Sequence, residues 1–271
     1  MKNTIFTGCG VATVTPMRAD GSVNLKKYAD HIDELIQNGV DAIIVNGTTG
    51  ESATLSDEEQ YNIICCAKDV INHRIPLIAG AGSNNTHHAA KLALNARNAG
   101  ADAVLSVTPY YNKTTQTGLL RHYYTVADSA DLPMLLYNVP SRTGMTVTAE
   151  TYSALAQHPN IYGVKEASGD FGLILKTRKM CPEDFALYSG NDDQIIPILA
   201  LGGQGVISTM ANVIPAQTHE ICALWKAGEI GKASELQILC QPLIQALFRE
   251  VNPIPVKAAM AMLGRDSGYT R

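Results

Sequence analysis

The chain lacks the charge and the apolar segments of a nucleic-acid-binding or membrane protein. Its formal net charge is -4 over 271 residues, so no basic surface is indicated and nucleic acid is not an expected partner. No apolar run reaches the roughly 20 residues that a membrane span requires. The first residues lack the sustained apolar stretch and small-residue cleavage site of a signal peptide. We therefore expect neither membrane association nor secretion.

The chain also lacks the paired cysteine spacing of a zinc site. Its six cysteines are Cys9, Cys65, Cys66, Cys181, Cys222 and Cys240. None has an obviously activating sequence context, so we expect buried, reduced thiols in a cytoplasmic protein. The adjacent His87 and His88 would point apart on a helix, which favours a solvated face over a metal site.

What the chain has instead is a set of eight short apolar runs. They cover residues 9–14, 42–45, 76–79, 103–107, 134–137, 161–164, 185–188 and 205–208. Runs that are apolar on both faces are typical of parallel strands covered by helices. The sequence therefore predicts eight parallel strands.

Helical patterns lie between these runs. Apolar residues recur on one face over 25–37, and a second amphipathic segment covers 86–98. Ser56 and Glu59 form the sequence pattern of a capping box, which predicts a helix that begins after Ser56. Eight alternating units favour an α/β protein with a (β/α)8 TIM barrel. A doubly wound sheet is the alternative, but the first run is not followed by a glycine-rich dinucleotide fingerprint.

The C-terminal part of the chain holds more helical pattern than a barrel needs. Residues 215–263 are helical almost throughout, whereas one helix would close the barrel. We therefore predict a catalytic barrel over residues 1–225 and a small C-terminal helical extension over 226–271.

Lys165 is the residue most indicative of chemistry. It directly follows the sixth apolar run, and a primary amine at the end of a buried strand loses solvation. Desolvation lowers the pKa of an amine and yields a neutral nucleophile that can attack a carbonyl. Polar turns follow other runs, at residues 46–52, 108–112, 137–144 and 189–193. Since active sites of such barrels lie at the C-terminal ends of the strands, the sequence predicts Schiff-base chemistry there.

In three segments the chain resembles the dihydrodipicolinate synthase family of pyruvate-dependent class I aldolases, which includes N-acetylneuraminate lyase. The segments are Gly-Thr-Thr-Gly-Glu at 47–51, Tyr-Asn-Val-Pro-Ser-Arg-Thr-Gly at 137–144 and Gly-Val-Lys-Glu-Ala-Ser-Gly at 163–169. The resemblance runs from about Phe6 to Pro255. It implies an aldol condensation of pyruvate with L-aspartate 4-semialdehyde, the first committed step of lysine and diaminopimelate biosynthesis.

The resemblance also implies roles for individual residues. Lys165 would form a covalent imine with pyruvate, so that no cofactor and no metal is expected. Tyr137 would carry protons, and Thr48 and Tyr111 would be its relay partners, with Tyr111 supplied by a neighbouring subunit. The positions expected to bind or line the substrate pocket are Thr49, Arg142, Gly190 and Ile207. The usual assembly of the family implies a homotetramer built as a dimer of dimers.

Arg142 bears on which aldehyde is used. A guanidinium at the pocket mouth suits the second carboxylate of aspartate semialdehyde, and the related sialic acid lyases lack arginine here. A sialic acid or keto-sugar-acid aldolase of the same family stays the alternative, together with an inactive shortened paralogue. A pyridoxal phosphate enzyme would also use a buried lysine, but no phosphate cradle is evident.

Two departures from the family pattern modify these expectations. Ser52, Ala53, Asn84 and Tyr110 fit an allosteric lysine cleft, but Gln60 stands where a histidine is expected and His88 where a glutamate is expected. We therefore expect weak or absent lysine inhibition. Family members usually continue past the position of Arg271, so the helical extension is expected to be incomplete, with chemistry retained and stability or assembly altered.

Overall fold

Eight parallel strands close into one barrel in the computed structural model, which describes residues 2–266 and 268–271. Each strand pairs with the next along the chain, and the last pairs with the first. The strands are β1 (Gly8–Ala12), β2 (Ala42–Val45), β3 (Leu77–Gly80), β4 (Ala103–Val107), β5 (Met134–Asn138), β6 (Ile161–Glu166), β7 (Ala186–Ser189) and β8 (Gly205–Ser208). The (β/α)8 barrel is confirmed, and the doubly wound alternative is excluded.

Helices alternate with the strands and cover the outside of the barrel. They are α1 (Leu25–Gln37), α2 (Asp57–Ile71), α3 (Thr86–Asn98), α4 (Gln116–Ala130), α5 (Pro140–Thr143), α6 (Ala149–Leu155), α7 (Phe171–Met180), α8 (Ile195–Ala200), α9 (Pro215–Lys226), α10 (Ile230–Leu247) and α11 (Ile254–Met262). The predicted capping box is present. The Ser56 hydroxyl accepts from the Glu59 amide at 3.1 Å, and the Glu59 carboxylate accepts from the Ser56 amide at 2.9 Å.

The strands bury both of their faces, which explains their uninterrupted apolar sequence. In β2, Ala42 and Ile44 pack inside the barrel, while Ile43 and Val45 pack between the barrel and the helices. The same alternation places Tyr137 and Tyr188 in the interior cluster. The barrel is therefore a filled core, and its functional space lies above the carboxyl ends of the strands.

Helices α10 and α11 follow α9 and pack back onto the carboxyl-end side of the barrel. Gln237 of α10 donates to the carbonyl of Asp192 at 2.9 Å, and Arg265 donates to the carbonyl of Val213 at 2.7 Å. Among the described residues, no helix is long and apolar enough to cross a membrane.

All six cysteines are free thiols. Cys9, Cys222 and Cys240 are buried as expected, whereas Cys65, Cys66 and Cys181 are only half-buried. The sequence prediction of burial was therefore wrong for these three, because they lie near the solvent side of their helices or at a helix end. Burial raises the pKa of the Cys9 thiol well above its ordinary value.

Candidate active site

A cavity of about 140 Å³ opens above the carboxyl ends of the strands. It contains six of the residues singled out from the sequence, namely Thr48, Thr49, Tyr137, Arg142, Lys165 and Gly190. Ser141, Ala167 and Asn191 also line it and lie in segments that the sequence singled out without assigning them a role. The sequence reasoning missed Thr209, Phe248 and Asn252 in its wall. The barrel thus brings together residues from several separate turns.

Strand pairing places Lys165 beside Tyr137. The two residues are direct partners in the β5–β6 ladder, so their side chains project on the same face. The Lys165 ammonium nitrogen lies 4.5 Å from the centroid of the Tyr137 ring. β6 continues one residue past Lys165 to Glu166, whereas the sequence placed Lys165 at the end of the strand. The difference arises because the Glu166 carbonyl accepts from the Gly190 amide at 2.7 Å, which extends the ladder.

The surroundings of Lys165 favour its neutral form. The side chain is only 6% exposed, and this burial lowers its pKa to about 8. The negative charge of Asp192 raises the pKa, while the positive charge of Arg142 lowers it. A lysine with a pKa near 8 has a substantial neutral fraction at physiological pH and can act as a nucleophile.

Tyr137 is protonated at physiological pH. Burial raises its pKa to about 12, against the opposing influence of Arg142 and of a hydrogen bond with Thr48. A protonated phenol that is hydrogen-bonded to a second hydroxyl can donate a proton and be reprotonated through its partner. Lys165, Tyr137 and Thr48 therefore form a desolvated amine with an adjacent proton-carrying pair, the arrangement needed to add an amine to a carbonyl.

Gly190 leaves room for the Lys165 side chain. A Cβ atom at this position would lie 2.7 Å from the Ala167 Cβ and 3.2 Å from the Lys165 Cγ. Replacing Gly190 by alanine would therefore displace the aliphatic part of the Lys165 side chain or the adjoining backbone.

A buried hydrogen-bond network fixes the neighbouring Glu166. Its carboxylate accepts from Asn138 at 3.1 Å, from the Tyr152 hydroxyl at 3.0 Å and from the Ser168 amide at 2.8 Å. Adjacent strand residues point to opposite faces, so this network anchors β6 from the side opposite Lys165.

The turn over residues 46–52 carries Thr48 and Thr49, and two of its non-glycine residues have a left-handed backbone. The left-handed backbone positions are Asn46, with φ 54°, and Glu51, with φ 57°. Gly50 permits a close approach, because a Cβ atom there would lie 3.2 Å from both the Thr13 carbonyl and the Thr15 hydroxyl.

The hydroxyl of Thr49 is held by two residues that are distant in sequence. Its Oγ1 accepts from Asn252 Nδ2 at 2.9 Å and lies 3.4 Å from Thr209 Oγ1. All three residues are buried. A polar residue before proline, in the Asn252-Pro253 pair, is the sequence signal that could have drawn attention to this contact.

Asp192 supports the part of the cavity wall that Thr209 forms. It is fully desolvated, and burial raises the pKa of its carboxyl above the ordinary value. One carboxylate oxygen accepts from the amides of Thr209 and Met210, at 3.1 and 2.8 Å. This carboxylate therefore orders the turn that presents Thr209.

Two predicted residues lie outside the cavity. Ile207 is fully buried in the interior cluster of the barrel, and it is not among the lining residues. Tyr111 is 91% exposed with φ 68°, and it lines the larger cavity described below instead of this one.

A second cavity, of about 760 Å³, adjoins the active-site mouth. Of the predicted lysine cleft, Ser52, Ala53 and Tyr110 line it, together with Gln60 and His88. Asn84 does not line it and instead accepts a hydrogen bond from Asn112 through its carbonyl, at 3.2 Å.

His88 is not a simple solvated residue, which corrects the sequence interpretation. Its ring contacts Asp57 at 2.9 Å and Ser83 at 3.3 Å, while His87 is exposed as expected. In the described ranges, 2–266 and 268–271, no group of three or more His, Cys, Asp or Glu side chains is placed to hold a metal ion.

A family model and individual relatives match this chain over nearly its whole length. The model of the dihydrodipicolinate synthetase family matches residues 5–271. A relative from Acetivibrio thermocellus named 4-hydroxy-tetrahydrodipicolinate synthase is 48% identical over 272 residues, which cover 100% of this chain and 92% of the relative.

Solved structures agree with the sequence comparison. The pyruvate complex of a chloride-inhibited dihydrodipicolinate synthase from Acinetobacter baumannii superposes with a TM-score of 0.95 at 42% identity, covering 98% of this chain and 92% of that one. A monomeric dihydrodipicolinate synthase variant gives a TM-score of 0.96 at 42% identity, with 98% and 90% coverage.

Proposed function

The chain belongs to the dihydrodipicolinate synthetase family, and we propose from this premise that it condenses pyruvate with L-aspartate 4-semialdehyde to 4-hydroxy-tetrahydrodipicolinate. The observation that carries the proposal is the buried Lys165 amine, set 4.5 Å from the Tyr137 ring inside a cavity that Arg142 also lines. The reaction would serve lysine and diaminopimelate biosynthesis. The names of the relatives favour it over a sialic acid or keto-sugar-acid aldolase.

The chemistry proceeds through a covalent imine, without a cofactor. The neutral Lys165 amine adds to the keto carbon of pyruvate, and loss of water gives the imine. The protonated imine withdraws electrons, so a methyl proton leaves and an enamine forms. The enamine carbon attacks the aldehyde carbon, whose oxygen takes up a proton. The amine of the second substrate then attacks the imine carbon, which closes the ring and releases Lys165.

The proton transfers in this sequence are assigned to Tyr137 and Thr48. Thr48 is close enough to lower the pKa of the Tyr137 phenol, and the phenol ring lies beside the Lys165 amine. Thr49 is assigned to the pyruvate carboxylate, and Gly190 lines the pocket beside the lysine stem.

Arg142 is assigned to the carboxylate of the aldehyde substrate. It lines both the active-site cavity and the larger cavity next to it, which places a guanidinium at the entrance. A guanidinium binds a carboxylate through paired, charge-assisted hydrogen bonds. An aldehyde without a carboxylate would leave this cation unmatched.

A coupled assay tests the proposal directly. Pyruvate and L-aspartate 4-semialdehyde would be supplied together, and product would be followed through NADPH oxidation by a reductase specific for it. Butanal, which lacks both the carboxylate and the amine, would serve as the control aldehyde, and pyruvate consumption would be measured with each aldehyde because the reductase detects only the one product. Turnover with aspartate semialdehyde and not with butanal supports the proposal. Formation of a pyruvate imine without turnover of aspartate semialdehyde would instead indicate a relative that uses another aldehyde.

We further propose that Tyr111 completes the active site of a neighbouring copy, within a homotetramer built as a dimer of dimers. Tyr111 is exposed, follows Tyr110 in the loop after β4, and does not line the active-site cavity of its own chain. Sedimentation equilibrium measures the assembly state, and a monomer would contradict the proposal; one similar structure is that of a dihydrodipicolinate synthase variant described as monomeric.

We expect the rate of imine formation to rise with pH through about 8. Below its pKa the amine is protonated and cannot attack, so at pH 7 about one tenth of Lys165 is reactive, against less than about 0.1% for a lysine of ordinary pKa. Borohydride quenching after timed mixing with pyruvate, followed by intact-mass analysis, gives the rate at each pH. Circular dichroism at the same pH values controls for folding. A midpoint near the ordinary lysine value would contradict the prediction.

Lysine is expected to inhibit the enzyme weakly or not at all. The acidic residue that lines the larger cavity, Glu51, is bound to Lys257 at 2.7 Å, while Lys113 and Arg142 add positive charge to its wall. Gln60 directs its amide to the Ser52 carbonyl at 3.1 Å, and His88 is engaged by Asp57. An incoming ammonium group therefore meets no free carboxylate among these residues.

The measurement is a steady-state assay with increasing L-lysine. His88→Glu supplies an acceptor for the ammonium group and is expected to increase sensitivity to lysine, whereas His87→Glu, one residue away and exposed, is the matched control. Half-inhibition of the unmodified protein by sub-millimolar lysine would contradict the prediction.

A further inference from the structure

The segment over residues 248–257 reaches from the end of α10 into the active site. Phe248 and Asn252 line the same cavity as Lys165, and Asn252 is only 6% exposed. The catalytic wall is therefore not built from the barrel turns alone.

Within this segment, Asn252 controls the orientation of the Thr49 hydroxyl. Asn252 Nδ2 is a donor, so in the 2.9 Å bond between them Thr49 Oγ1 is the acceptor. The proton of Thr49 then points away from Asn252 and remains available to another acceptor. The second neighbour, Thr209 Oγ1, lies at 3.4 Å, which is too long to hold that proton strongly.

The hydrogen bonding of Asn252 fits a positioning role better than a purely structural one. Its Oδ1 is buried and has no hydrogen-bond partner within residues 2–266 and 268–271. Burying an acceptor without a partner costs stability. An apolar side chain would avoid that cost, but it would not direct the Thr49 hydroxyl.

A second contact fixes this segment to the turn over residues 46–52. The fully buried Lys257 binds the Glu51 carboxylate at 2.7 Å and the Thr15 carbonyl at 2.8 Å. Asn252 is therefore held against Thr49 by an ion pair within the same two segments.

We propose that Asn252 is a positioning residue that sets the Thr49 hydroxyl as a hydrogen-bond donor to the pyruvate carboxylate. The inference rests on the proposed function, since it needs pyruvate in this cavity. A donor fixed before binding loses no rotational freedom when the anion arrives. Asn252 therefore acts on the binding of pyruvate and not on the proton transfers at Tyr137.

The first test is Asn252→Ala in the full-length protein. The half-saturating pyruvate concentration is expected to rise about tenfold, with kcat changed less than about threefold, because one oriented hydrogen bond to an anion is lost. Arg265→Ala is the matched control. It removes another contact that docks the C-terminal helices, to Val213 and Glu34, without touching the turn over residues 46–52, and the pyruvate dependence is expected to stay unchanged.

A double-mutant cycle distinguishes positioning from general loosening of the site. If Asn252 acts through the Thr49 hydroxyl, Asn252→Ala has no further effect on pyruvate binding in a Thr49→Val background. Independent, multiplicative effects would overturn the proposal.

Asn252→Asp keeps the test valid if the alanine variant does not fold. The introduced carboxylate accepts from Thr49 and repels the substrate anion, so the pyruvate requirement is expected to rise more than in the alanine variant. Wild-type pyruvate binding in a folded Asn252→Asp variant overturns the proposal, as does a loss confined to kcat. If the unmodified protein forms no borohydride-trapped pyruvate adduct, the proposed function itself fails and the inference fails with it.

Discussion

Replacing Lys165 by alanine is expected to abolish both the pyruvate adduct and the condensation, with a loss of roughly a thousandfold or more in kcat. The reason is that, in the proposed mechanism, the amine forms the covalent bond to substrate, and no other described residue lining the active-site cavity carries a primary amine. The measurement is intact-mass analysis after borohydride treatment in the presence of pyruvate, combined with the coupled assay.

Lys2→Ala is the matched control for this experiment. Burial also lowers the pKa of Lys2, but its ammonium group binds the carbonyls of Ala156 and Ile161, and Ile161 begins the strand that carries Lys165. Lys2 therefore lies at the opposite end of β6 from the active site. The adduct is expected to persist in this variant. An adduct that persists in Lys165→Ala, or that disappears in folded Lys2→Ala, would refute the assignment of the nucleophile.

The barrel could be predicted from the sequence because its strands are buried on both faces and its helices are marked by local signals. The 25–37 and 86–98 helices and the Ser56 cap agree with the structure because each depends on residues within a few positions of one another. The end of β6 was less predictable, since it depends on a hydrogen bond to Gly190, which lies on the next strand's turn.

The site, like the fold, has contacts that could be predicted from the sequence and contacts that could not. Lys165 and Tyr137 could be placed together because the ends of neighbouring parallel strands meet at one edge of the barrel. The contact between Thr49 and Asn252 joins residues 203 positions apart, and no periodicity of the chain encodes it. The sequence therefore placed the C-terminal helices outside the site, whereas their connecting segment forms part of its wall.

Tyr137→Phe is expected to lower kcat about 100- to 1,000-fold while leaving a pyruvate adduct detectable. The phenylalanine ring keeps the packing beside the Lys165 amine, and only the hydroxyl that we propose to exchange protons with Thr48 is removed. The amine keeps its buried environment, so it can still attack the keto carbon. The steps that need a proton to leave the methyl carbon or to reach the aldehyde oxygen lose their proposed carrier.

Comparison of adduct formation with turnover separates these two roles. Thr48→Val removes the relay partner but leaves the phenol, so its loss of kcat is expected to be smaller than that of Tyr137→Phe. Because the two hydroxyls act as one chain, the double variant is expected to be little worse than Tyr137→Phe alone. Full turnover in Tyr137→Phe would assign the proton transfers to another group or to water. Loss of the adduct together with turnover would mean that the Tyr137 hydroxyl is already required when Lys165 attacks.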